Sequence, residues 1–191
     1  MSEPRPLVLA TGNAHKAQEV QAILGDAWRV DVLEPGVDET GATFEENALL
    51  KAAAVCEATG RLAIADDSGI EIDALDRQPG IHSARWTEEA DWIPRVLREL
   101  DAVPGAARTA RYVAAAAAVW PDGFEVVVRG VVEGHVPVVP RGTGGFGYDP
   151  IFVPDEGDGR TFGEMSAAEK HALSHRGRAF RALAAHLDRT P

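Results

Sequence analysis

Three short segments carry side chains that could bind or hydrolyse a phosphorylated ligand, and the first is TGNAHK at residues 11–16. It follows the apolar run 7–10 and precedes the amphipathic stretch 17–24. A strand that turns directly into a helix leaves N–H groups at the helix start, and with the helix dipole these form an anion site. A lysine in the first turn adds a mobile positive charge suited to phosphate oxygens. The candidate phosphate loop is therefore Thr11, Gly12, Asn13, Ala14, His15 and Lys16, with a purely structural junction as the alternative.

The second segment, DDSG at 66–69, directly follows the apolar run 62–65. In α/β proteins, ligands bind at the carboxyl ends of strands. Adjacent residues of a strand point to opposite faces, so one aspartate would face a ligand while the other braces the loop. A carboxylate beside a triphosphate could hold Mg²⁺ or take a proton from water. A capped Asp-Ser-Gly turn is the structural alternative.

A second acidic group lies at Asp38, Glu39, Glu45 and Glu46. Oxygen ligands on a loop suit Mg²⁺. Glu46 is already explained by a helix cap, because Thr43 stands three residues before it in a capping-box pattern. The other three acids are metal-ligand candidates, or else a solvated acidic surface.

The third segment, GTGGFGYDP at 142–150, has four glycines within six residues. Glycine lets the backbone approach a ligand closely. An aromatic ring in such a segment could stack on a nucleobase, and Asp149 could accept hydrogen bonds from ring N–H groups. Phe146, Gly147, Tyr148 and Asp149 are therefore base-binding candidates, with a glycine-rich hairpin carrying core aromatics as the alternative.

Cations near the C-terminus stand out in this acidic chain. Lys170 is followed by the turn Ser174-His175-Arg176, at which a helix is predicted to restart. The first turn of a helix is unfavourable for positive charge, and residues that break a local rule are expected at functional sites. Lys170, His175 and Arg176 are thus candidate ligand contacts, or else part of a solvated basic turn.

Hydrophobic periodicity predicts the elements that must position these residues. Strands are expected at 7–10, 29–33, 62–65, 111–120 and 124–132. Helices are expected at 16–24, 44–59 and 91–100, and in the tail to about residue 187. The alanine-rich centre at 114–118 favours a strand buried on both faces, although a helix there is an open alternative. Capping boxes at Thr43 and Ser166 mark two helix starts.

Composition and charge narrow the class of protein. The 191 residues are 45% hydrophobic and 26% charged, as in ordinary globular proteins. A net charge of -11 argues against coating nucleic acid, since that requires the neutralisation of many phosphates. Cys56 is the single cysteine, and we expect it to be a small core residue. No apolar run reaches membrane-spanning length and the N-terminus lacks a hydrophobic signal core, so a cytoplasmic protein is expected.

Taken together, the segments resemble the inosine/xanthosine triphosphate pyrophosphatase family. The resemblance is carried, in order along nearly the whole chain, by TGNAHK (11–16), TFEENALLKA (43–52), ADDSG (65–69), PGIHSAR (79–85), GTGGFGYDPIF (142–152) and EKHALSHR (169–176). His82, in the fourth segment, is assigned no role.

The resemblance implies one α/β domain over 1–191, with an elongated mixed central sheet flanked by helices and two lobes around a nucleotide-binding cleft. It also implies a homodimer and the Mg²⁺-dependent conversion of a nucleoside triphosphate to the monophosphate and pyrophosphate. By position, residues 11–16 bind the phosphates, Asp67 binds metal and activates water, and Ser68 contacts substrate. Asp38 becomes the second metal ligand. Phe146, Gly147, Tyr148, Asp149, Lys170, His175 and Arg176 line the base and phosphate pockets.

The expected activity is therefore hydrolysis of ITP, dITP and XTP, with Arg176 offering a cation to position 6 of the base. One rival is a pyrophosphatase that prefers pyrimidine or modified nucleotides. The other is a nucleotide sensor without turnover, which would have no need of the water-activating carboxylate of Asp67.

Overall fold

Alternating apolar strands and amphipathic helices organise the chain. The computed structural model describes residues 3–86, 92–103, 105 and 107–189. The strands are β1 (Arg5–Ala10), β2 (Trp28–Leu33), β3 (Ala63–Ile72), β4 (Gln78–Pro79), β5 (Thr109–Val119), β6 (Glu125–His135) and β7 (Val153–Pro154). The helices are α1 (Ala14–Leu24), α2 (Phe44–Thr59), α3 (Trp92–Asp101), α4 (Ala167–Leu173) and α5 (His175–Ala184). Residue 91, where the third helix was expected to begin, lies outside the described residues.

The seven strands form one sheet in the order β2-β1-β3-β5-β6-β7, with β4 paired to β3. Strand β1 pairs in parallel with both β2 and β3. The pairs β3–β4 and β6–β7 are antiparallel, so the sheet is mixed. The predicted mixed α/β sheet with flanking helices is confirmed, whereas the elongated outline and the cleft between lobes stay predictions.

The chain divides into two compact units. Unit 1 comprises the described residues of Met1–Asp67, Ala114–Gly130 and Arg176–Pro191; unit 2 comprises those of Ser68–Val113 and Val131–His175. Each unit has its own apolar core. Leu7, Leu9 and Ile64 pack with Phe180 and Leu183 in unit 1. The unit 2 core contains Ile70, Ile72, Tyr112, Phe152 and Phe162.

The alanine-rich segment 114–118 is part of strand β5, which excludes the helical alternative. All five of its alanines are 0% exposed, including those that point to opposite faces. Because small side chains alone fill both faces there, neighbouring layers of unit 1 can pack closely against the strand. The predicted burial on both faces is confirmed.

The helix caps differ in one detail from the pattern predicted by the sequence. Thr43 accepts a hydrogen bond from the Glu46 N–H at 3.1 Å, as expected for the start of α2. The Glu46 carboxylate, however, accepts from the Ala42 N–H at 2.6 Å rather than from Thr43. At α4, Ser166 and Glu169 form the predicted reciprocal capping box.

Across the part of the chain that the structure describes, no helix is both long and apolar enough to cross a membrane.

Candidate active site

The segment between β1 and α1 forms a tight, self-capped turn. The Asn13 side chain accepts hydrogen bonds from the N–H groups of His15, at 2.9 Å, and Lys16, at 3.3 Å. The Asn13 N–H in turn donates to Thr11 Oγ1 at 3.1 Å. The expectation of unpartnered N–H groups at the helix start is therefore wrong for these donors, because asparagine is a good N-cap and satisfies them itself.

Most of this loop is open to solvent. Gly12, Asn13, Ala14 and His15 are exposed, whereas Thr11 is buried and Lys16 is half-buried. Burial lowers the pKa of Lys16, against the attraction of the Asp66 carboxylate. The loop thus combines exposed backbone with one partly buried lysine.

Strand β3 runs through the DDSG segment instead of ending before it, so Asp66 and Asp67 lie within a strand. Asp66 Oδ2 contacts Lys16 Nζ at 3.2 Å and the Arg176 guanidinium at 3.1 Å. Asp67 has different partners, on α2: Asn47 Nδ2 donates to its Oδ2 at 3.1 Å and Lys51 Nζ to its Oδ1 at 3.4 Å. The separate partners agree with the predicted opposite orientation of the two aspartates.

Lys51 joins two carboxylates of unit 1. Its ammonium lies 2.6 Å from Glu39 Oε1 and 3.4 Å from Asp67 Oδ1. Burial disfavours its charge, but the carboxylates of Asp67, Asp66 and Glu39 raise the pKa of Lys51 above the ordinary value. The structure thus places Glu39 beside the Lys51 ammonium, which also contacts Asp67. Asp38, in contrast, is exposed to solvent.

Asp67 is 5% exposed. Burial raises its pKa from the ordinary 3.8, opposed by the attraction of Lys51 and reinforced by the negative charge of Glu39. A buried carboxylate whose pKa is shifted toward neutrality is suited to accept a proton.

Asn47 and Lys51 were not among the predicted site residues. They stand four apart on α2 and are 0% and 7% exposed, although the residues around them on that face are apolar, such as Ala48 and Val55. Polar residues inside the apolar stripe of a helix are a signal that the sequence contains. Such a signal indicates burial but does not identify the partner.

The glycine-rich loop belongs to unit 2 and closes on Asp149. The Asp149 Oδ2 atom accepts hydrogen bonds from Lys170 Nζ and from the Phe146 N–H, both at 2.7 Å. The Tyr112 hydroxyl lies 3.5 Å from Oδ1. Gly145 has φ +68°, and a Cβ there would collide with this carboxylate, so the loop requires glycine at that position.

Lys170 and Phe146 lie against each other. The Lys170 ammonium lies 4.6 Å from the centre of the Phe146 ring, and Lys170 is 3% exposed. Phe146 and Gly147 are half-buried, as is Ser68 on β3. An aromatic ring backed by a buried cation–carboxylate pair is a platform on which a base could stack.

Two other predicted contacts of unit 2 lie in its interior. Tyr148 is 4% exposed and its hydroxyl donates to the Ser83 carbonyl at 2.8 Å. His175, 3% exposed, stacks on Tyr112 with ring centres 4.4 Å apart and planes 3° apart. For Tyr148 the structure favours the alternative of a core aromatic, because packing and its hydrogen bond already occupy both its ring and its hydroxyl.

Arg176, of unit 1, is 2% exposed. Its Nε and Nη2 donate to Asp66 Oδ2, both at 3.1 Å, and its Nη1 donates to Glu19 Oε2 at 2.5 Å. Burial disfavours the charge, but Asp66 and Glu19 hold the pKa of Arg176 above its ordinary value. Two carboxylates thus hold three nitrogens of the guanidinium. The role of Arg176 in reading position 6 of a base stays a prediction.

Comparison with known proteins places this fold and these segments in a family. The sequence profile of the Ham1 family matches residues 7–186. The chain therefore belongs to the Ham1 family.

Relatives that align with nearly the whole chain are named dITP/XTP pyrophosphatase. The chain is 50% identical over 197 residues to the dITP/XTP pyrophosphatase of Symbiobacterium thermophilum, covering 100% of this chain and 97% of that protein. It is 49% identical over 189 residues to the dITP/XTP pyrophosphatase of Streptomyces coelicolor, covering 93% and 94%. The solved HAM1 protein of Coxiella burnetii superposes with a TM-score of 0.83 at 36% identity, covering 96% of this chain and 98% of that one.

Proposed function

We propose that this chain hydrolyses the nonstandard purine nucleoside triphosphates ITP, dITP and XTP to the monophosphate and pyrophosphate. One observation carries the proposal: the buried Asp67 carboxylate, with its raised pKa, lies 3.4 Å from the Lys51 ammonium in the unit that also holds the phosphate loop. Identities of 44–50% to several proteins named dITP/XTP pyrophosphatase support the substrate class.

In the proposed reaction, water attacks the α-phosphorus and Asp67 accepts its proton. A P–O bond forms to the water oxygen as the anhydride bond to the β-phosphate breaks, and pyrophosphate leaves with the electron pair. A positioned carboxylate of raised pKa is an effective general base near neutral pH. Lys16 would stabilise the negative charge that develops on the phosphate oxygens.

The donor chemistry fits a magnesium ion. Mg²⁺ is commonly bound by one or two carboxylates together with substrate phosphates and water. Among the described residues no group of three or more His, Cys, Asp or Glu is arranged to hold a metal. Asp67 would hold the ion, with Asp38 as predicted or with Glu39, which shares the Lys51 ammonium. When bound, the ion neutralises phosphate oxygens and makes a coordinated water easier to deprotonate.

For the base, we propose stacking on Phe146. Its ring is half-buried above Lys170, and Asp149 is oriented by Lys170 and by the Phe146 N–H. Ser68, Gly147 and His175 complete the proposed substrate contacts of unit 2. The proposal leaves Tyr148 as a core residue that supports the loop.

Phe146→Leu is expected to raise KM for ITP by roughly 5- to 150-fold, since base stacking on an aromatic ring contributes about 1–3 kcal/mol. Leucine is smaller but still apolar, so the substitution keeps an apolar side chain and removes the π-face. Steady-state kinetics with ITP measures the change. Phe124→Leu, at an exposed aromatic outside the glycine-rich loop, is the matched control. An unchanged KM in Phe146→Leu would contradict stacking.

The pH profile follows from the pKa of Asp67. The carboxylate must be deprotonated to act as a base, and burial raises its pKa above 3.8. Activity should therefore fall as the pH drops through this raised pKa, with more activity at alkaline than at acid pH. Lys51→Met removes the attraction that opposes the shift, so the acid limb of kcat/KM should move to higher pH. A limb that stays in place or moves to lower pH would show that Lys51 does not set this pKa.

A nucleotide panel tests the function directly. The purified protein is incubated with Mg²⁺ and with ITP, dITP, XTP, ATP, GTP or pyrimidine triphosphates, and the products are separated by ion-exchange chromatography. The proposal expects monophosphate plus pyrophosphate, with ITP, dITP and XTP turned over fastest. Faster turnover of pyrimidine nucleotides would favour the related pyrophosphatase, and binding without any product would favour the sensor.

We further propose that residues 1–191 act as one catalytic domain and that the protein forms a homodimer. We also propose that it acts in the cytoplasm and does not bind nucleic acid. The net charge of -11 supports the last point. Light scattering coupled to size-exclusion chromatography measures the oligomeric state; a mass of one chain would contradict the dimer.

A further inference from the structure

Glu19 is a buried carboxylate that the proposed reaction does not use. It lies on α1, three residues after Lys16, and is 7% exposed. Its Oε2 atom accepts a hydrogen bond from Arg176 Nη1 at 2.5 Å. Burying a charge is costly unless it is paired, so this contact requires an explanation.

The contact is one end of a chain of four charged groups in unit 1. Arg176 joins Glu19 to Asp66, whose Oδ2 accepts from both Nε and Nη2 at 3.1 Å. The same Asp66 oxygen lies 3.2 Å from Lys16 Nζ. Two cations and two carboxylates therefore alternate, and within these four groups the charges balance only when Glu19 is included.

Removing the charge of Glu19 would leave two cations to share one buried carboxylate. Arg176 is the more firmly held of the two, because its planar guanidinium meets Asp66 through two N–H groups. Lys16 makes a single contact on a flexible stem and would also be repelled by Arg176. The loss of the Glu19 charge should therefore displace mainly the Lys16 ammonium.

We propose that Glu19 is a positioning residue that acts through Arg176 and Asp66 to hold the Lys16 ammonium in place for substrate phosphate. The inference rests on the proposed function only in taking Lys16 as the phosphate-binding group.

Pyrophosphate is the probe, because it carries the phosphates without a base. Its affinity in Mg²⁺ buffer is measured by isothermal titration calorimetry for the wild type, Glu19→Gln, Lys16→Met and the double variant. Glu19→Gln keeps the shape of the side chain but not its charge, and should weaken binding about tenfold, within the range for coupled neighbours. In the Lys16→Met background the same change should have less than about a twofold effect, since the group it positions is gone.

Two further variants distinguish the positioning of Lys16 from a general effect on the structure. Glu57→Gln removes an exposed glutamate of α2 and should bind pyrophosphate as the wild type does. Arg176→Lys keeps the charge but lacks the planar guanidinium that contacts Asp66 through two nitrogens and Glu19 through a third, so it should weaken pyrophosphate binding as Glu19→Gln does. It also serves as the test if Glu19→Gln does not fold, which circular dichroism reveals.

Three results would overturn the proposal. The first is wild-type pyrophosphate affinity in Glu19→Gln. The second is an equal loss of pyrophosphate affinity from Glu19→Gln whether or not Lys16 is present. The third is wild-type pyrophosphate affinity in Arg176→Lys, as expected if Arg176 only reads the base. The proposed function is tested separately by turnover of ITP in the wild type. A wild type that binds pyrophosphate but does not hydrolyse ITP would refute the function and leave the positioning result standing.

Discussion

Asp67→Asn is expected to reduce kcat for ITP by about 10²–10⁴-fold, as for the removal of a general base. The amide keeps the shape of the side chain, and its one oxygen can still accept one of the two hydrogen bonds that Asn47 and Lys51 donate to the two carboxylate oxygens. It lacks the negative charge and the basic lone pair. Turnover should therefore collapse while the circular dichroism spectrum and the cooperative thermal unfolding are kept.

The matched control for this variant is Asp26→Asn, an exposed aspartate that follows α1. It makes the same chemical change outside the site and should keep the wild-type rate. If Asp67→Asn were nearly as active as the wild type, the general base would have to be another carboxylate, and Glu39 would be the next candidate because it shares the Lys51 ammonium.

Removal of divalent metal should reduce ITP turnover by on the order of 10³-fold or more, since such an ion contributes several kcal/mol of charge stabilisation. The substrate carries several negative charges, and Asp67 and Glu39 add two more. Without a divalent cation these charges repel one another, and Lys16 and Lys51 are already paired with carboxylates. The rate is measured in excess EDTA and again after Mg²⁺ is restored; full activity in EDTA would eliminate the proposed mechanism.

The same assay distinguishes the two candidate partners of Asp67 in holding the ion. Asp38→Asn and Glu39→Gln are each titrated with Mg²⁺, and the concentration for half-maximal activity is recorded. The variant that loses a ligand should require more Mg²⁺, whereas the other should titrate as the wild type does. A thermal-shift titration with Mg²⁺ provides a readout that does not depend on turnover.

The sequence by itself determined the local elements and the segments that carry the chemistry. Helix α2 begins and ends where its Thr43 cap and Gly60 predict, and β1 leads into the loop at 11–16 as the apolar run at 7–10 indicates. These features depend on neighbours within a few residues, through hydrophobic period, capping and the special conformations of glycine. Local signals of this kind are present in the printed sequence.

Only the tertiary structure decided which side chains meet. Arg176 and Asp66 are separated by 110 positions, and Arg176 and Glu19 by 157, yet they form one buried ion network. Periodicity could predict that Asp66 and Asp67 point apart, but not that one pairs with Lys16 and the other with Lys51. The sequence predicts charge and burial position by position, whereas pairing requires the helices to be packed on the strand. Buried charges must be matched where they meet, and that is set by packing across the chain.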